Sequence, residues 1–269
     1  KMNVNIKKIT TETRNPNTLD IDRVSTIEIV KKINNEDKTV AYAVEKVIPE
    51  IAKCVDMVYE TFMNDGRLIY MGAGTSGRIG LVDAVECKPT YGVSPEMVQC
   101  LMAGGLPAMV QAVEGAEDSR TMAVEDLKRI NLTNKDIVIG IAASGRTPYV
   151  LGGVEYARSI GAKTASISTS QNTILSSMVD CPIEAVTGAE PITGSTRMKS
   201  GTAQKMICNI ISTSAMVKMG KVYGNLMIDV QATNEKLVAR AVSILKDITG
   251  LDDAEAKQAY DKYGSVKKA

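Results

Sequence analysis

Between residues 67 and 186 the chain alternates short apolar runs with longer amphipathic stretches, and this alternation constrains its fold more than any other feature. The apolar runs are residues 67–71, 97–102, 136–142, 163–167 and 181–186. Helical patterns at residues 76–85, 119–129 and 149–160 lie between several of them. Short buried strands separated by helices are typical of a parallel sheet with helices on both faces. The pattern predicts an α/β domain of three layers, α/β/α, around a central parallel sheet.

The regions on either side of this domain are predicted to be helical. Ser25 can cap a first helix, and a second runs from about residue 37 to residue 62 with a bend at Pro49. After the sheet, helical patterns cover residues 196–220 and 234–248, and residues 252–269 are typical of a short helical hairpin. We therefore divide the chain into an N-terminal helical region (1–56), the sheet domain (57–223) and a C-terminal helical region (224–269).

The complete absence of histidine is the most informative feature of the composition. It excludes Ser-His-Asp and Cys-His nucleophilic machinery, zinc held by histidine, and acid/base chemistry by imidazole. The cysteines are five in number and none forms a C-x-x-C pair, so we expect reduced thiols and neither a disulfide framework nor a metal site. Proton transfers in an enzyme of this composition depend on Glu, Asp, Lys, Tyr or Cys.

The charge balance indicates the class of partner. Lys and Arg number 32 against 31 Asp and Glu, and aromatic residues make up only 4% of the chain, so we expect neither nucleic acid nor a membrane as partner. Apolar runs fall short of the roughly 18 residues that a membrane span needs, and the polar start is not typical of a signal peptide. The expected location is the cytoplasm.

Three loops rich in Gly, Ser and Thr stand at the ends of predicted elements. We call residues 72–78 loop one, residues 142–148 loop two and residues 193–202 loop three; each contains an Arg. Such loops offer free backbone N–H groups, hydroxyl donors and the positive end of a helix dipole, which together bind phosphate. The alternative is that these residues only close turns and cap helices. The glycines of loop one also have dinucleotide-binding spacing, but the expected acidic residue about 20 positions later is missing, so a nucleotide cofactor is disfavoured.

Acidic residues form a second group of candidates. Glu86 follows the helix that loop one opens, and Glu114 and Glu117 lie in a loop after the second predicted strand. Two carboxylates near a phosphate crevice, in a chain without histidine, favour acid/base catalysis by glutamate. The alternative for Glu117 is structural, because acidic residues also stabilise the start of the following helix.

In these loops and acidic segments, and in further motifs along the chain, the sequence resembles the bacterial N-acetylmuramic acid 6-phosphate etherases. The resemblance covers nearly the whole chain and depends on long motifs. These motifs are residues 13–17, 72–78, 86–87, 89–92, 114–119, 140–149, 197–199, 201–205, 221–227 and 232–236. It implies a sugar isomerase (SIS) fold, a homodimer, and cleavage of a D-lactyl ether to N-acetylglucosamine 6-phosphate and D-lactate.

The resemblance also implies roles for individual residues. Glu117 is implied as the base that removes the C2 proton, and Glu86 as the acid that protonates the ether oxygen. Binding of a sugar 6-phosphate is implied for residues of the three loops: Thr75, Ser76, Ser144 and Thr147, with Ser195, Thr196 and Lys199 as helpers. It implies no metal and no organic cofactor.

The sequence departs from the family pattern at two places and leaves two alternative functions possible. Lys88 stands where the family commonly has proline, and an ammonium group facing Glu86 would lower the pKa of the proposed acid. The family also usually continues some thirty residues past the equivalent of residue 269. Related SIS proteins include non-catalytic sugar-phosphate sensors and phosphosugar isomerases; a sensor does not need paired glutamates, and an isomerase does not need an acid for a leaving group.

Overall fold

A computed structural model describes residues 10–111, 113–232 and 234–269. Its centre is a parallel sheet of five strands in the spatial order β2-β1-β3-β4-β5. The strands are β1 (Leu68–Gly72), β2 (Val98–Met102), β3 (Ile137–Ile141), β4 (Lys163–Ser168) and β5 (Cys181–Glu184). The apolar runs of the sequence thus form the strands within one or two residues of the predicted bounds.

Eight α-helices accompany the sheet in the described part of the chain. They are α1 (Thr26–Glu45), α2 (Ile48–Met63), α3 (Gly74–Tyr91), α4 (Arg120–Arg129), α5 (Pro148–Ser159), α6 (Lys199–Lys218), α7 (Glu235–Thr249) and α8 (Asp253–Tyr263). None of these helices is long and apolar enough to span a bilayer.

Successive residues of β1 show how the layers form, because neighbouring side chains of a strand point to opposite faces. Leu68 and Tyr70 join the apolar cluster beneath α1, α2, α3 and α6. Ile69 and Met71 join the cluster beneath α4 and α5. All four are fully buried. The predicted three-layer α/β/α arrangement is confirmed.

The N-terminal helices divide differently from the prediction. The backbone N–H and hydroxyl of Ser25 donate to the Glu28 carboxylate, and α1 then continues to Glu45. The break falls at Lys46 and Val47, and Pro49 lies in the first turn of α2, where its missing N–H costs no helix hydrogen bond. The predicted single helix over residues 37–62 with a bend at Pro49 was wrong.

The C-terminal residues form a third apolar cluster, separate from the two that cover the sheet. Ala241, Leu245 and Ala256 bring α7 and α8 together, and Val266 packs against them. Residues 222–227 form a small antiparallel hairpin at the start of this region. Residues 252–269 contain one helix, α8, and then turns, so the helical hairpin predicted there was wrong.

Candidate active site

The carboxyl ends of the parallel strands carry a small cavity of about 210 Å³. Loops one, two and three all contribute to its wall, together with the loop before α4 and the first described residues of the chain. The lining residues are Thr11, Glu12, Ala73, Gly74, Thr75, Ser76, Glu117, Ala143, Ser144, Thr147, Gly194 and Thr196. Side-chain hydroxyls, backbone amides and two carboxylates therefore converge on one space, at the edge of the sheet where parallel α/β folds bind ligands.

Loop one turns sharply from β1 into α3. A Cβ on Gly72 would lie 2.6 Å from the backbone nitrogen of Gly77, so only glycine allows the helix to begin this close to the strand. Thr75 and Ser76 lie in the first turn of α3, where backbone N–H groups have no partner within the helix. Both residues line the cavity beside the positive end of the helix dipole.

Loop two brings Glu117 to the cavity. The hydroxyl of Thr147 donates to the Glu117 carboxylate at 3.3 Å, and the backbone N–H of Tyr149 donates to the Glu117 carbonyl at 3.0 Å. Gly145 has a φ of +63°, and a Cβ there would lie 2.3 Å from the Cβ of Thr173. The loop consequently keeps a tight path that places Ser144 and Thr147 on the same wall as Glu117.

Loop three is only partly in the cavity. Thr196 lines it, whereas Ser195 does not. Lys199 also lies outside: its ammonium group is 2.7 Å from the Glu36 carboxylate and its side chain is 3% exposed. Glu190 accepts hydrogen bonds from the backbone N–H groups of Lys199 and Ser200, and so caps α6. The three arginines of the loops are not among the lining residues either; Arg78 instead donates to two carbonyls of the loop that follows β2.

Glu86 lies away from this cavity. It is exposed and belongs to the second half of α3. Twelve residues separate it from Gly74, which corresponds to about 18 Å along a helix axis. Lys88 is exposed as well. The structure of one chain therefore brings Glu117 together with the hydroxyls of the loops, but not with Glu86.

A buried carboxylate fixes the half of α3 that carries Glu86. Asp83 accepts hydrogen bonds from Tyr70 at 2.9 Å, from Asn209 at 2.6 Å and from Ser212 at 2.9 Å. Burial raises the pKa of Asp83, although these three donors act in the opposite direction. The network ties α3 to β1 and α6, so Glu86 is presented from a rigid element.

Sequence reasoning missed several residues at the cavity. Thr11 and Glu12 line it. Beneath Ser76, the buried amide oxygen of Gln204 accepts the Ser76 hydroxyl at 3.0 Å, while its amide nitrogen has no hydrogen-bond partner among the described residues. The available signals were the neighbouring motifs, residues 13–17 for Glu12 and residues 201–205 for Gln204.

Cysteine chemistry and a metal centre gain no support from the site. Burial raises the pKa of Cys87 to about 12, so the thiol beside Glu86 stays protonated at neutral pH. Within residues 10–111, 113–232 and 234–269, no group of three His, Cys, Asp or Glu side chains could hold a metal ion.

A larger groove of about 930 Å³ between α7 and α8 is lined mainly by aliphatic and small residues and lies apart from the loops described above.

Comparisons with known proteins agree with this fold. Residues 50–158 match the family described as the N-terminal SIS domain of glucokinase regulatory protein, residues 109–214 match the SIS domain, and residues 224–262 match the C-terminal lid domain of glucokinase regulatory protein. In the solved structure of a phosphoheptose isomerase from Francisella tularensis, a similar fold covers 71% of this chain and 100% of that one. The TM-score is 0.52 at 17% identity, a level that shows the fold alone.

Two relatives show the family. The chain is 56% identical over 259 residues to the N-acetylmuramic acid 6-phosphate etherase of Clostridium beijerinckii, covering 96% of this chain and 85% of that protein. It is 59% identical over 248 residues to the etherase of the same name from Clostridium botulinum strain Langeland, covering 92% and 82%. The chain therefore belongs to the N-acetylmuramic acid 6-phosphate etherase family, a family of enzymes with a SIS domain.

Proposed function

We propose that the protein cleaves the D-lactyl ether of N-acetylmuramic acid 6-phosphate by elimination and hydration, giving N-acetylglucosamine 6-phosphate and D-lactate. The observation that carries this proposal is the meeting of the Glu117 carboxylate with the hydroxyls of Ser76, Ser144 and Thr147 in one cavity. Hydroxyl and amide donors suit a phosphate, and a carboxylate suits the removal of a proton from the sugar.

The chemistry follows from the reactivity of the sugar. An ether resists direct hydrolysis at neutral pH, but opening the ring creates an aldehyde at C1, which makes the C2 proton acidic. The lactate oxygen on C3 is then β to the developing carbanion and can leave. Glu117 removes the C2 proton, Glu86 protonates the departing lactate oxygen, and water adds to the resulting double bond at C3. Each such proton transfer contributes roughly 10²- to 10⁴-fold in rate.

The phosphate is held where α3 begins. Thr75 and Ser76 line the cavity from one side, where the first turn of α3 leaves backbone N–H groups free. Ser144 and Thr147 face it from loop two, and Thr196 from loop three. Because Lys199 is paired with Glu36, the charge of the phosphate is balanced by hydroxyls, amides and the helix dipole.

We also propose that the protein is a homodimer in which Glu86 of one copy completes the cavity of the other. In one chain Glu86 lies about 18 Å along α3 from Gly74, which lines the cavity, too far for the two glutamates to act on one sugar. On α3, Val82 and Val85 flank Glu86 and are 56% and 60% exposed. Exposed apolar side chains that lie together on one helix face support an interface there.

A complementation experiment tests this shared site. Glu86→Gln and Glu117→Gln proteins are each prepared, unfolded together and refolded as a mixture. If each site takes one glutamate from each copy, mixed dimers contain one intact site, and about a quarter of the wild-type activity returns on random pairing. No gain over the separate variants would show that both glutamates act within one chain.

Location in the cytoplasm is part of the same proposal. All five cysteines are free, which fits a reducing compartment. The substrate class places the protein in amino sugar metabolism.

The activity is tested by incubating the protein with N-acetylmuramic acid 6-phosphate and measuring D-lactate with a stereospecific lactate dehydrogenase. We expect stoichiometric D-lactate and N-acetylglucosamine 6-phosphate. Binding of the sugar phosphate without release of lactate would instead identify a non-catalytic regulator, and an aldose–ketose interconversion would identify an isomerase.

A further inference from the structure

The proposed elimination has a first step that neither Glu117 nor Glu86 performs. The sugar binds as a closed ring, whereas the C2 proton becomes acidic only beside the open-chain aldehyde. Opening requires that the C1–O5 bond breaks, that the hydroxyl on C1 loses its proton and that O5 gains one. A carboxylate near C1 that accepts and returns a proton would speed this step, and histidine is absent from the chain.

Among the side chains that line the cavity, one carboxylate has no role in the elimination. Of the described residues that line it, only Glu12 and Glu117 carry a carboxylate; the others are Ala, Gly, Ser and Thr. In the proposed mechanism Glu117 serves the C2 position. Glu12 is the second carboxylate of the same space and has no role in the elimination itself.

The turn that carries Glu12 is anchored to loop three and to the segment before it. Thr11 is 1% exposed, and its carbonyl accepts a hydrogen bond from the N–H of Gly194 at 3.2 Å. A little further on, Asn15 donates to the carbonyl of Ala189 at 3.0 Å and Thr18 to that of Pro191 at 2.8 Å. These contacts hold the turn over the cavity rather than leaving it as a free end.

The carboxylate of Glu12 lies close to the cavity wall and has no hydrogen-bond partner among the described residues. A Cβ on Gly194 would lie 3.1 Å from Oε2 of Glu12, which places the carboxylate directly against loop three. Within the described part of the chain, Glu12 forms neither a side-chain hydrogen bond nor an ion pair. A carboxylate free of partners at the mouth of the cavity can accept a proton from a bound sugar and return it.

We propose that Glu12 opens the pyranose ring of the bound sugar 6-phosphate, an inference that depends on the proposed function. The Glu12 carboxylate takes the proton of the C1 hydroxyl while the C1–O5 bond breaks and the C1=O1 double bond forms. The carboxylic acid so formed gives the same proton to O5. Glu12 thus ends in its initial state, and no oxidant, reductant or further reactant takes part.

Ring opening can be measured apart from elimination. N-acetylglucosamine 6-phosphate, the proposed product, exchanges its α and β anomers through the open chain, and exchange NMR reports the rate. We expect wild type to accelerate this exchange and Glu12→Gln to lose at least about 10²-fold of the acceleration. Glu117→Gln should no longer exchange the C2 hydrogen for deuterium from the solvent, a readout that is separate from anomer exchange.

Asp22→Asn is the matched control, because it makes the same charge change ten residues away. Asp22 is 74% exposed on its side chain, and within the described residues its ion pair is with the adjacent Arg23. We expect it to behave as wild type in every assay. Circular dichroism and the affinity for N-acetylglucosamine 6-phosphate show whether Glu12→Gln is folded and binds.

Each other outcome overturns the proposal. Anomer exchange at the wild-type rate in Glu12→Gln, or absence of acceleration by wild type, excludes Glu12 as the ring-opening group. Weaker binding with unchanged exchange per bound sugar makes Glu12 a binding residue instead. The etherase activity itself is judged separately by release of D-lactate from N-acetylmuramic acid 6-phosphate by wild type, so failure of one claim is distinguishable from failure of the other.

Discussion

The two ends of the parallel sheet use polar residues in opposite ways. At the amino ends, Asp136 accepts hydrogen bonds from the backbone N–H and guanidinium of Arg67 and from the N–H of Thr133, all within 3.1 Å. Between β4 and β5, Asp180 accepts from the N–H and hydroxyl of Thr164, both at 2.9 Å. These carboxylates connect neighbouring strands and have their partners within the protein.

At the carboxyl ends, by contrast, polar groups face a cavity. Thr75, Ser144 and Thr196 line it, and the first turn of α3 leaves backbone N–H groups free. The difference teaches that one scaffold separates stability from function. At the amino ends of the strands, the polar groups have hydrogen-bond partners within the protein and hold the strands in register. At the carboxyl ends, donors stay available for a ligand.

The largest effect is expected at the functional end. Glu117→Gln keeps the shape of the side chain but cannot take a proton, so kcat should fall at least about 10²-fold with little change in substrate affinity. Steady-state kinetics on N-acetylmuramic acid 6-phosphate measure both quantities.

Glu114→Gln is the control for that variant, since it lies three residues earlier in the same loop and does not line the cavity. Near-normal turnover in Glu117→Gln combined with a large loss in Glu114→Gln would transfer the role of the base to Glu114.

The next effect is expected at the structural end, on stability rather than rate. Asp136→Asn leaves Arg67 without its buried partner and should lower the free energy of unfolding by about 3 kcal/mol, measured by urea denaturation. Turnover per folded molecule should stay unchanged. A loss of kcat without a loss of stability would mean that the two ends are not separate.

Acid should weaken the same interaction. Burial by itself would raise the pKa of Asp136, but the hydrogen bonds from Arg67 and from the Thr133 N–H outweigh it and lower the pKa. The stabilisation is therefore fully present above the ordinary aspartate pKa of about 4 and is lost as the pH falls through the lower, folded value. Asp136→Asn should show a flatter loss of stability below about pH 4 than wild type.

The smallest effect concerns single hydroxyls. Ser144→Ala removes a donor to a charged acceptor, a change of roughly 1.5–3 kcal/mol, and should weaken the binding of N-acetylglucosamine 6-phosphate about 10- to 100-fold in calorimetry. Ser195→Ala is the matched control, because Ser195 lies outside the cavity. Equal affinities of the two variants would show that loop two is structural.

Structural features that depend on neighbouring residues in the sequence could be predicted from it. The apolar run that forms β3 (Ile137–Ile141) is fully buried and bounded by turn residues, so it was found from the sequence alone. The division of α1 from α2 was not found, because a proline in a first turn and a proline that bends a helix look alike in sequence.

Contacts between residues that lie far apart in the sequence could not be predicted from it. Lys199 is typical of a phosphate ligand when considered within loop three alone, but Glu36, which neutralises it, lies 163 residues earlier. The contribution of Glu12 likewise depends on a backbone contact between Thr11 and Gly194 that local periodicity does not reveal. Loop positions at strand ends were predictable, whereas the choice of which side chains face the cavity depended on tertiary packing.

The most direct test of the central claim follows the atoms of the reaction in deuterated, oxygen-18-labelled water. Elimination with Glu117 as carbon base, followed by hydration, predicts deuterium at C2 and oxygen-18 at C3 of N-acetylglucosamine 6-phosphate, with no label in the ether oxygen of lactate. Mass spectrometry and NMR of the two products distinguish these positions. Oxygen-18 in lactate with an unchanged hydrogen at C2 would contradict the account and make Glu117 an activator of water.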